Sequence, residues 1–100
     1  VTQVQNRYRE RRDFTIQGLA KLGWKIKPTK ATMYLWVPCS VGWNSTDFAL
    51  MVLQKTGVVF TPGNAFGIGG EGYVRISLIA DLDRLGEAIQ RLTDAGIRYE

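Results

Sequence analysis

Gly70 to Leu92 reads GEGYVRISLIADLDRLGEAIQRL, and its period changes part-way along. From Tyr73 to Leu78 the side chains alternate. Val74, Ile76 and Leu78 fall on one side and Tyr73, Arg75 and Ser77 on the other, the pattern of a strand with one covered face. From Asp81 onward Leu82, Leu85, Ile89 and Leu92 recur at helical spacing, with Asp81 as the cap and Gly96 as the stop. A half-apolar strand running into an amphipathic helix predicts a sheet with helices against one face.

Upstream, residues 61–72 form a glycine-rich loop, preceded by a β-branched strand over Val58–Phe60. Asn44-Ser45-Thr46-Asp47 reads as a helix start: Asn44 or Ser45 can accept from the first unpaired N–H groups, and Asp47 suits the positive end of the dipole. Phe48, Met51, Val52 and Lys55 then share a face, and Gly57 ends the helix. Met33 to Val37 is a strand closed by Pro38, and its apolar residues on both faces predict a central or doubly covered position. Lys27 to Lys30 is a turn, and Trp24 to Ile26 reads as a short strand. Residues 2–22 form a helix with Val4, Tyr8, Phe14, Leu19 and Leu22 at loose helical spacing, weakened at Gly18 and stopped at Gly23. The expected fold is therefore α+β: a two-layer sandwich in one domain, residues 1–100, with helices packed on a small mixed or antiparallel sheet.

Composition narrows the chemistry. The chain has 100 residues, 45% of them hydrophobic and 22% charged, which are ordinary globular proportions. With no histidine, it excludes His-based acid–base catalysis and His-ligated metals within itself. One cysteine, Cys39, excludes an internal disulfide and a four-cysteine zinc site, and the simplest setting is reducing and cytoplasmic. No apolar run approaches the ~20 residues of a membrane span. The start, Val-Thr-Gln-Val, carries no signal-peptide pattern and looks like a cut inside something longer. The net charge of +4 is uneven, with eight basic and two acidic residues before position 31 and five against seven after it.

Four features invite chemistry. Gly67 to Gly72 matches GxGxxG, but the dinucleotide fingerprint places a helix N-terminus after the glycines, and here a strand follows. A flexible or tightly folded glycine loop is the better reading. The basic block RYRERR, Arg7 to Arg12, could meet phosphates, but it reads as a solvated helix face with Glu10 and Asp13 beside its arginines. Cys39 has no histidine to activate it and reads as an inert thiol. Arg75 stands mid-strand on the side away from the core. It is either a solvent-facing arginine or a planar fork of donors for a carboxylate.

Taken together, RYRERRDFTIQGLAKLGWKIKPTKATMYLWVP, GVVFTPGNAFGIGGEGYVRISL and LGEAIQRL resemble the C-terminal region of class I/II pyridoxal-phosphate aminotransferases, in the branch of LL-diaminopimelate, alanine and aspartate/aromatic aminotransferases. The resemblance covers nearly the whole chain and rests on YxxRRD, ATMYLW, GVxxxPGxxFG and GYVRIS in the family's order. It implies the small domain of a homodimeric fold-type-I enzyme, with the large domain and a second subunit as partners and an amino acid and a 2-oxo acid as substrates. It implies that Arg75 clamps the substrate α-carboxylate, and that the Pro62-Gly63 and Phe66-Gly67 loop borders the cleft. None of Lys21, Lys25, Lys27, Lys30 or Lys55 has the context of the family's Schiff-base lysine. The chain alone is then expected neither to hold pyridoxal phosphate tightly nor to transaminate. Membrane and nucleic-acid partners are not expected. The alternative is a stand-alone ferredoxin-like α+β module binding RNA or a small ligand on its sheet. That reading has Tyr73 on the open face but lacks the basic-glycine-aromatic pattern of RNA-binding strands.

Overall fold

The computed structural model describes the backbone of residues 2–27, 33–66 and 68–100, and the side chains of 7–27, 33–65 and 69–100. Among these are three α-helices and a three-stranded antiparallel sheet, an α+β fold. In chain order they are α1 (Thr2–Ala20), β1 (Tyr34–Pro38), α2 (Ser45–Thr56), β2 (Thr61–Pro62), β3 (Tyr73–Ser77) and α3 (Leu82–Asp94). Two short 3-10 turns, Gly63–Phe66 and Ile68–Gly70, join β2 to β3.

The strand order is β1-β3-β2, so the GYVRIS strand is central. Leu35 pairs with Ile76 and Val37 with Val74, and these four face the helices. They join Leu19 and Leu22 near the end of α1, Phe48 and Val52 of α2, and Leu85 and Leu92 of α3 in one buried cluster. Each such side chain contributes roughly 1.5–3 kcal/mol by leaving water. The period-two pattern of β3 therefore sorts as expected.

Both predicted caps form. The Asn44 side chain accepts from the Asp47 N–H at 2.8 Å, and the Asp81 carboxylate from the Arg84 N–H at 2.9 Å. Gly57 adopts the left-handed conformation, φ 77°, and returns its N–H to the Leu53 carbonyl. Gly18 and Gly86 serve helix packing. The Ile89 side chain of α3 lies over Gly18, and the Phe14 ring of α1 over Gly86, where a β-carbon would collide or crowd.

Four expectations are corrected. β1 is an edge strand: Trp36 is 43% exposed, and only Leu35 and Val37 are covered. Val58–Phe60 is not a strand. Thr56 Oγ1 accepts the Val58 N–H at 3.0 Å in a local turn after the helix, and pairing with β3 starts only at Thr61. Trp24–Ile26 is not a strand either. Trp24 is a core anchor, its indole N–H donating to the Pro38 carbonyl at 2.8 Å and its ring packed near Phe48 and Tyr99. The α1 helix stops at Ala20, two residues short of the expectation, in a turn through Gly23. The expected turn over Pro28–Lys30 lies outside the described residues, as do the side chain of Val4 and the structure of Gly67.

Candidate functional site

The sheet face opposite the helices carries Tyr34 and Trp36 of β1 and Tyr73, Arg75 and Ser77 of β3. Register places Tyr34 across from Ser77, Trp36 across from Arg75 and Pro38 across from Tyr73. Thr61 of β2 lies on the other side of Arg75. The half-buried guanidinium thus projects from the middle of the central strand, away from the helix layer. It stacks on the Tyr34 ring, with Cζ 3.8 Å from the ring centroid, close enough for a cation–π contact. Stacking uses the flat face of the guanidinium, whereas carboxylate recognition uses its edge, so the two are geometrically compatible. Beside Arg75, Trp36, Tyr73, Gly69 and Gly70 line a shallow hollow of about 480 Å³.

The hollow depends on how the glycine loop folds. Gly63 and Gly70 approach so closely that a β-carbon on either would run into the other's backbone carbonyl. The described part of the loop is thus folded tightly, one of the two alternatives its sequence left open, and a strand rather than a helix follows it. Its one acidic side chain closes a helix end. Glu71 accepts the Ser45 N–H at 3.3 Å and the Ser45 hydroxyl proton at 2.6 Å, at the first turn of α2. Sequence reading missed this cap, because 26 residues separate the partners.

The remaining candidates sort differently. Arg11, from the basic block, is more than a solvated charge: its guanidinium donates to the Leu78 and Ile79 carbonyls at 3.0 and 2.9 Å and ties α1 to the end of β3. Arg12 pairs with Asp13 at 2.9 Å. Cys39 is buried, and burial first, then the nearby Glu71 carboxylate, pushes its thiol up to about 11. It is neutral at ordinary pH, as an inert thiol should be. Among the described residues no helix is long and apolar enough to cross a membrane.

The family profile of "Aminotransferase class I and II" matches residues 1–92. The chain belongs to the class I and II aminotransferases. It corresponds to their small C-terminal domain region. It is 52% identical over 96 residues to LL-diaminopimelate aminotransferase 2 of Trichormus variabilis, covering 96% of this chain and 25% of that protein. Among solved structures, apo-BacF from Bacillus subtilis matches 99% of this chain with a TM-score of 0.92 and 32% identity, over 26% of its own length. The L,L-diaminopimelate aminotransferase from Chlamydomonas reinhardtii matches 88% with a TM-score of 0.77 and 28% identity, over 21% of its length. This aminotransferase chain therefore spans about a quarter of the length of the curated relatives it matches. Family membership displaces the stand-alone ferredoxin-like reading.

These aminotransferases depend on pyridoxal phosphate. Among the described residues, Lys21, Lys25, Lys27 and Lys55 are exposed, and none lines the hollow beside Arg75. Lys30 lies outside the described residues. At that hollow the described residues therefore offer no amine to an aldehyde cofactor.

Proposed function

We propose that residues 1–100 are the small domain of an aminotransferase that moves an amino group from an amino acid to a 2-oxo acid, and that Arg75 binds the substrate α-carboxylate. Cofactor chemistry belongs to a large domain outside this chain, in a homodimeric cytoplasmic enzyme. The names of the relatives point to LL-diaminopimelate as one of the amino acids handled. The chain by itself is inactive in this reading.

The observation that carries the proposal is the position of Arg75. It sits mid-way along the central strand, on the face the helices leave open, with a rigid ladder on both sides. A guanidinium so placed presents a permanently charged, planar set of donors from a stiff support. Two parallel N–H···O bonds to a carboxylate fix its plane as well as its position, and hence the direction of the Cα–H bond. The glycine loop and Trp36 would border the same cleft.

The test is Arg75→Ala in the full-length enzyme. Loss of a charged bidentate contact in a closed site costs about 3 kcal/mol, so kcat/KM for the amino acid should fall by about two orders of magnitude, mainly through KM. Arg75→Lys should recover only part, because an ammonium cannot make the fork. Unchanged steady-state constants in Arg75→Ala would remove the residue from the site.

A further inference from the structure

We infer that Tyr34 is a positioning residue for Arg75, and that the side chain across the ladder from it, Ser77, is small so that the guanidinium can lie on the Tyr34 ring. The inference rests on the carboxylate-binding reading of Arg75. Its evidence is the register together with the stacking distance.

An arginine at the centre of an antiparallel ladder can lean toward either end of the neighbouring strand. On one side stand Pro38 and the half-exposed Tyr73, which occupy the surface at that end. On the other stand Tyr34 and, across from it, Ser77. A two-heavy-atom side chain at 77 leaves the Tyr34 ring uncovered from β3. The guanidinium takes that space and reaches 3.8 Å from the ring centroid. Trp36 lies directly across from Arg75 on the ladder. The long side chain thereby loses rotamer freedom before any ligand arrives, because its guanidinium rests over a rigid ring. That preorganisation lowers the ordering cost of grasping a carboxylate. The contact is made with the face of the Tyr34 ring.

The experiment is a set of steady-state measurements on the full-length enzyme with its amino-acid substrate. Tyr34→Phe keeps the ring and should leave KM within about two-fold of the parent. Tyr34→Leu should raise KM about five-fold with kcat nearly unchanged. Ser77→Leu covers the ring while leaving Tyr34 in place, and should raise KM to a similar extent. Both effects on kcat/KM should vanish when combined with Arg75→Ala, because no guanidinium is then left to position. If Tyr34→Phe is as damaging as Tyr34→Leu, or if either loss persists in the Arg75→Ala background, Tyr34 does not act through Arg75 and the inference is overturned. If Arg75→Ala alone leaves the constants unchanged with Tyr34 intact, the carboxylate reading itself has failed, a separate and recognisable outcome that overturns the inference as well. Should Tyr34→Leu not fold, Ser77→Leu with and without Arg75→Ala decides the matter.

Discussion

On β3, neighbours one residue apart do different work. Val74, Ile76 and Leu78 are buried under three helices, and their contribution is the removal of apolar surface from water. Tyr73, Arg75 and Ser77 face the other way, where no described helix covers them. The core face tolerates any well-shaped hydrophobe, since the effect is non-directional. In the proposed reading the open face depends on one guanidinium, the ring under it and the small residue that makes room. Stability therefore resides on one side of the strand and, in the proposed reading, recognition on the other.

Substitutions on the two sides should separate these roles. The largest effect is expected from Val74→Asp, which buries an unpaired carboxylate in the core. It should cost at least ~4 kcal/mol, seen as loss of folded protein or a collapsed melting temperature. Arg75→Ala should do the reverse, costing about 3 kcal/mol in kcat/KM while shifting the melting temperature by only a degree or two. A large fall in stability for Arg75→Ala would break the contrast. Gly70→Ala should destabilise by about 2 kcal/mol, because the colliding atoms are backbone and cannot swing away. It should also disturb KM by altering the hollow beside Trp36. Removing the long-range cap with Glu71→Ala should cost about 1 kcal/mol, like other N-terminal caps, measured by denaturant titration.

The smallest effect is the pH response of Cys39. Burial and, after it, the Glu71 carboxylate push its thiol from 9.0 up to about 11, so the native state holds the proton more tightly than the unfolded chain. That contribution to stability is complete below pH 9 and is lost as pH climbs toward 11. Alkylation of the folded protein should accordingly be slow at pH 7 and accelerate only well above pH 9. Rapid modification at neutral pH would show the thiol to be exposed or activated.

Much of the fold was legible in the chain itself, and for local reasons. The caps at Asn44 and Asp81, the stops at Gly57 and Gly96, the strand over residues 73–77 and the apolar stripe of α3 all depend on residues within a few positions of one another. Arg75 was identifiable as an outward-facing strand arginine for the same reason. Its companions were not. Tyr34 and Trp36 are about forty residues away, and only the register of β1 on β3 brings them to it. Edge or centre was likewise hidden, since apolar residues on both faces of Met33–Val37 suggest cover on both sides, while β1 lies at the edge.

What the residues alone settled was the alternation, the capping and the side of the strand on which Arg75 stands, because φ/ψ preference and side-chain period act over a turn or a pleat. What required the folded chain was everything set by pairing at long range: which strand is central, why Val58–Phe60 leaves the ladder, how Glu71 reaches α2, and which ring lies beneath Arg75. A strand's partners are chosen by the summed burial of a whole face, a quantity that no short window of sequence contains.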